Sequence, residues 1–230
     1  MRASATRTSA LLLALFVVLA ASPLAAQSTR RPRRESNVSR KARIERTIAA
    51  TYSHRFEVAG GGGYERFRSG QYQQQDNQVT FWTSTLYALN PKLGIAGEVR
   101  GAYGNAKLTN VLPSGNTLNF RPQISEYNFM AGPSYRFIRQ EKYSLSGFVE
   151  GGVGLGKFDG DSKGLTAANI GVWTGNYSAS YAAGLHFDYN LSQTVAVRLT
   201  PTYLGTMYGG GTQNSKGLNI GVVYRFGRQK

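Results

Sequence analysis

The chain has 230 residues, no cysteine, and a formal charge of +15 from 27 Lys and Arg against 12 Asp and Glu. The lack of Cys excludes disulfides and thiolate metal sites, and with them a small disulfide-stapled secreted fold. A mean hydropathy of −0.32 excludes a helical membrane protein but not a β-barrel, whose alternating strands average to weak hydropathy.

Residues 1–26 read as a cleaved signal peptide. Arg2 and Arg7 form a positive start, Leu11 to Ala21 is apolar, and Ser22-Pro23-Leu24-Ala25-Ala26 offers small residues for cleavage before Gln27. The apolar run falls short of the roughly 20 residues a membrane-spanning helix needs. The remaining ~200 residues suffice for one domain.

Residues 27–54 form a basic segment, expected to be largely a flexible periplasmic linker. Arg30, Arg31, Arg33, Arg34, Arg40, Lys41, Arg43 and Arg46 stand against only Glu35 and Glu45. Val38, Ile44, Ile48 and Tyr52 give it a thin helical stripe, enough for a short helix but not for a packed core. In an exported chain such a segment (28–46) suits an anionic cell-wall polymer, and no nucleic acid is expected.

From Arg55 the apolar period becomes two. Eight strands are predicted: Arg55–Phe67, Val79–Leu89, Leu93–Tyr103, Ser125–Phe137, Tyr143–Leu155, Tyr177–Tyr189, Thr194–Tyr203 and Leu218–Phe226. Each has about the length of a tilted span. Their connections alternate. Asn90–Lys92, Ile138–Lys142 and Asn190–Gln193 are tight, whereas 68–78, 104–124, 156–176 and 205–216 are long, polar and rich in Gly and Asn. Tight turns at one end and long loops at the other are the asymmetry of an outer-membrane barrel, with both termini on the periplasmic side. A four-residue basic tail, 227–230, follows the last strand.

The two faces of these strands are inverted relative to a soluble barrel. One face carries aromatics at both ends, as at a membrane–water boundary. The other carries Glu57, Glu65, Glu98, Arg100, Asn128, Arg136, Glu150, His186, Asp188, Arg198 and Arg225 among small residues. A soluble lipocalin-like barrel would fill its inside with Leu, Ile and Phe, because ionised groups are costly in an apolar core unless paired. An interior network of ion pairs is therefore expected from Glu57, Glu98, Arg100, Arg136, Glu150, His186, Asp188, Arg198 and Arg225. It either holds register or gates a narrow porin-like channel, and the small bore of eight strands favours the first. Pro133 and Pro201 fall inside predicted strands, where bulges or register changes are expected to absorb them.

Other chemistry is thin. Gly151-Gly-Val-Gly-Leu-Gly156-Lys157 mimics a phosphate-binding loop, but Phe158 stands where Ser or Thr should and no helix pattern follows. His186 with Asp188 invites comparison with a hydrolase, such as a lipid-A-modifying enzyme. The only nucleophiles on that face, Ser180 and Ser178, are too far along the strand, and His54 lies in the basic segment. No catalytic residue, metal site or cofactor is expected.

The stretches Tyr127-Asn-Phe-Met-Ala-Gly-Pro-Ser-Tyr-Arg-Phe137, Phe148-Val-Glu-Gly-Gly-Val-Gly154 and Gly221-Val-Val-Tyr-Arg-Phe226 resemble OmpA/OmpX-like outer-membrane β-barrel proteins over residues 55–226. The resemblance implies an eight-stranded antiparallel up-and-down transmembrane barrel in the outer membrane of a Gram-negative bacterium. It also implies insertion by the outer-membrane assembly machinery, which in that family reads a final strand like that of Tyr224 and Phe226. A monomer surrounded by outer-membrane lipid and lipopolysaccharide is expected, with a structural or adhesive role carried by the long loops.

Overall fold

A computed structural model describes residues 36–70, 75–108 and 121–229. The expected signal peptide, the arginines from Arg30 to Arg34 and the start of the basic segment lie outside them. The described residues open with helix α1 (Asn37–Thr51), whose entry is capped by the Ser39 N–H donating to Ser36 Oγ at 3.2 Å. No described helix is long and apolar enough to cross a membrane, which has no bearing on crossing by strands.

Eight strands follow: β1 (His54–Arg68), β2 (Gln75–Ala88), β3 (Leu93–Asn105), β4 (Gln123–Arg139), β5 (Tyr143–Gly160), β6 (Tyr177–Asn190), β7 (Val195–Thr206) and β8 (Gln213–Arg228). Each pairs antiparallel with its sequence neighbour, and β1 closes on β8. Closure removes every sheet edge. Except for β6, which begins at Tyr177 as predicted, the strands run beyond the predicted limits at the long-loop end, so the loops are shorter than the sequence suggested. The physical reason lies outside the barrel. Above the upper aromatics the outward residues turn polar (Arg66, Arg68, Gln75, Asn77, Asn214, Lys216), so the apolar alternation stops while the hydrogen-bonded ladder continues.

The outer wall is apolar. Tyr87, Tyr135, Phe137, Tyr143, Tyr189, Tyr224 and Phe226 are exposed near the short turns, and Tyr64, Phe81, Tyr103, Phe129 and Tyr203 near the loops. Ile95, Val149, Leu185, Leu199, Ile220 and Val222 fill the band between. The turns close on side-chain caps. Asn90 Oδ1 accepts from the Lys92 and Leu93 N–H groups at 2.8 Å each, and Ser192 Oγ accepts from Val195 N–H at 2.9 Å.

Pro133 and Pro201 occupy β4 and β7 without the expected bulges. Each pairs normally on one side, with Ile95 and Leu218 respectively. On the other side the ladder skips Gly132 and Pro133, or Thr200 and Pro201, and resumes in unchanged register. The missing N–H therefore costs a local gap and no slip. The register shifts lie elsewhere, at Gln123/Ser125 and Arg136/Ile138.

Candidate functional site: the closed lumen and its roof

Inward parity places every charged residue of the predicted network in the lumen, all of them buried. They do not form one ring. At the short-turn end, Glu57 Oε1 accepts from Arg136 Nη2 and from Arg225 Nε (3.3 Å), while its Oε2 accepts from Arg198 Nη2 (3.1 Å). Asp188 takes Arg198 Nε at 2.7 Å on Oδ1, and Arg225 Nη2 at 2.9 Å on Oδ2. Two carboxylates thus hold three guanidinium groups. Higher up, Arg100 donates through Nε (3.0 Å) and Nη2 (2.6 Å) to a single oxygen of Glu98. Glu150 is buried with no ion-pair partner among the described residues. His186 shares Nδ1 with Thr200 Oγ1 at 3.0 Å and stacks on Phe148, with ring centroids 4.4 Å apart. It is a packed lumen residue. Ser180, six residues along the same strand, is about 20 Å from it.

The interior is less polar than a lumen of charges among small residues would be. Trp82, Leu86, Met130, Phe148 and Leu204 are also buried inside. Glycines make the space. A Cβ on Gly221 would lie 2.9 Å from Trp82 Cζ2, and one on Gly184 would lie 2.8 Å from the Phe148 ring. The glycines of the false phosphate loop do the same within β5. Cβ atoms on Gly154 and Gly156 would come within 2.9 and 2.6 Å of Tyr208 Oη and Phe158 Cζ. The run is strand throughout, with no helix N-terminus to receive a phosphate.

Both ends are shut. Tyr52, just after α1, seals the short-turn end. Its hydroxyl donates to the Gln140 carbonyl (2.8 Å) and accepts from Asn190 Nδ2 (3.0 Å), while the Arg136 and Arg225 guanidiniums lie 5.0 and 5.8 Å from its ring centre. At the other end Phe67, Ile124, Phe158 and Tyr208 meet Ala167, Ile170 and Val172 in an apolar cluster. The last three belong to or follow α2 (Ala167–Ile170), a single turn capped by Thr166 and ended by Gly171 with φ of 71°. Burial, reinforced by the carboxylates of Glu126 and Glu65, pushes the Tyr208 phenol above its ordinary pKa, so it stays neutral. Sequence reasoning gave Tyr52 only a place in the helical stripe of the basic segment and assigned no part to Glu126 or this roof. Strand parity extended past the girdle would have placed Glu126 inside. Nothing local marks Tyr52 as a plug.

At the barrel seam, Phe226 stacks on Phe56 (5.4 Å) and on Tyr224 (5.9 Å). The residues after it carry the ladder on: Arg228 pairs with His54, and Gln229 N–H donates to the Ser53 carbonyl at 2.8 Å.

No family model matches the chain, and no curated protein matches it. Solved structures do. The outer membrane protein OprG of Pseudomonas aeruginosa aligns at a TM-score of 0.50 with 12% identity, over 76% of this chain and 98% of OprG. The attachment invasion locus protein Ail of Yersinia pestis aligns at 0.48 with 19% identity, over 76% of this chain and 99% of Ail. Neisserial surface protein A aligns at 0.48 with 16% identity, over 74% and 97%. What the chain shares with OprG is the fold, a closed eight-stranded antiparallel β-barrel.

Proposed function

We propose that this barrel serves as a structural and surface-interaction protein of the outer membrane, with its extracellular loops as the working surface, rather than as a channel or an enzyme. The observation that carries this reading is the double closure. Below, the lumen is filled by Glu57, Asp188 and three arginines, with the Tyr52 ring beneath them. Above, it is roofed by the cluster around Phe158 and Ile170. A solute would have to part a buried ion network and an apolar core in succession, both of which resist opening. Strands such as β5, with 18 residues against the roughly 9–11 that cross a bilayer, lift that roof well clear of the membrane. Outer-membrane lipid and lipopolysaccharide would surround the girdles, the assembly machinery would meet β8, and Lys41, Arg43 and Arg46 of α1 would face anionic cell-wall polymer.

The test is paired. Purified protein in planar bilayers should be electrically silent, and cells displaying it should adhere to a test surface in a way lost when 161–176 is replaced by a Gly/Ser linker. Discrete single-channel steps from the unaltered protein would reverse the reading in favour of a narrow channel.

A further inference from the structure

Beside the roof, the loop that closes β7 to β8 and the end of β1 enclose a cleft of about 600 Å³, lined by Arg68, Gln75, Trp173, Asn214 and the run Gly209–Gly211. Its size is that of a small-ligand site. Its construction is specific. Trp173 is held at two points, its backbone N–H donating to the Ser69 carbonyl (2.7 Å) and its indole Nε1 to the Arg68 carbonyl (2.8 Å). The indole therefore has no polar group left to satisfy. The six-membered part of its ring rests against Gly209, which has φ of 61° and where a Cβ would stand 2.6 Å from Cε3. Gln213 fixes the same loop from beneath, its side-chain amide accepting from the Tyr208 N–H and donating to the Tyr208 carbonyl at 2.8 Å each. The result is a rigid, partly exposed apolar plate in an otherwise polar cleft.

Around that plate stand groups of complementary chemistry. The Arg68 side chain is exposed and has no acidic partner within ion-pair distance among the described residues. Its planar fork suits a carboxylate or sulfate. The Gln75 and Asn214 amides each offer donors and an acceptor. A lipid tail does not fit, because Arg68 lies four residues past the girdle residue Tyr64, about 10 Å farther out for a tilted strand. An extended peptide has no sheet edge to join, since the barrel is closed.

We propose that this cleft binds an acidic saccharide, with Trp173 stacking on the apolar face of one sugar ring, Arg68 pairing with its carboxylate or sulfate, and the Gln75 and Asn214 amides holding hydroxyls. The proposal rests on the surface-interaction reading and gives it a ligand class.

The experiment uses the whole mature protein in nanodiscs, titrated with tetragalacturonic acid and separately with neutral maltotetraose, and followed by isothermal calorimetry. Tryptophan emission in a Trp82→Phe background, which leaves Trp173 as the only indole, gives a second readout. Saturable binding of the acidic tetrasaccharide is expected, at least tenfold tighter than the neutral one. Arg68→Gln should remove that preference, and Asn214→Ala should weaken both. These two side chains are exposed, so the variants should keep the heat-dependent gel shift of the folded barrel, whereas Trp173→Ala risks the roof. No saturable binding of the acidic saccharide, or binding that Arg68→Gln leaves unchanged, overturns the proposal. If adhesion by displaying cells persists in that case, the cleft assignment falls alone; if adhesion is absent too, the surface-interaction reading falls with it.

Discussion

Glu57→Gln is the sharpest test of how the lumen is held together. The carboxylate of Glu57 is shared by Arg136, Arg198 (3.1 Å) and Arg225 (3.3 Å), all buried. Neutralising it leaves three guanidiniums with Asp188 alone, and Arg136 with no acid at all. A Gln amide keeps one acceptor but turns an N–H toward a cation. One ion-pair contact at ~4 Å and an effective dielectric constant of 20 is worth about 4 kcal/mol before desolvation is counted. Measured losses on breaking a buried pair are about 3–5 kcal/mol. That range corresponds to a hundred- to several-thousand-fold shift in the folding equilibrium at about 1.4 kcal/mol per tenfold. The assay is reversible urea unfolding in phospholipid vesicles, followed by tryptophan emission and gel mobility. Glu150→Gln, which removes a buried acid without an ion pair, should cost less than about 1 kcal/mol. Glu57→Gln combined with Arg136→Met should recover part of the loss, because the stranded cation goes with it. If Glu57→Gln stays within about 1 kcal/mol of the unaltered protein, water must be solvating these arginines, and the closed, ion-paired lumen is wrong.

Tyr52→Ala should unseat the short-turn plug and raise small-solute leakage in liposome swelling, whereas Tyr52→Phe keeps the ring over the arginines and should stay tight. Val149→Arg, on the lipid face between the two girdles, should cost about 2–4 kcal/mol in vesicle unfolding, as expected near the bilayer midplane. Gly221→Leu would put a Cβ 2.3 Å from the Gly60 carbonyl oxygen and 2.9 Å from Trp82 Cζ2 and should cost at least about 1–3 kcal/mol, with Trp82 emission shifted. Phe158→Ala should open the roof, detected as faster proteolysis within 161–176, while the barrel keeps its gel shift; a roof that stays resistant would show that Phe158 is not its centre.

Strand parity made the faces readable. Alternation alone assigned Glu57, Arg100, Asp188 and Arg225 to the inside and Tyr87, Phe129 and Tyr224 to the outside, since side-chain direction in a strand is a local, two-residue property. The prolines were misjudged because sequence shows that Pro133 lacks an N–H but not which neighbour would have received it. Strand ends were misjudged because the extramembrane part of the ladder is held by backbone bonds, which carry no apolar signature.

The sequence by itself determined that this is an eight-stranded barrel with a greasy outside and a charged inside. Tertiary structure decided what those charges do. Glu57, Arg136, Arg198 and Arg225 lie on four different strands and meet only because β1 closes on β8 at one register. That same closure separates Glu98 and Arg100 from them and puts Tyr52 beneath the cluster. It also brings Trp173 against the end of β1, 105 positions away in the chain. Such meetings depend on the stagger and closure of the whole sheet, a non-local quantity that no periodicity within one strand encodes.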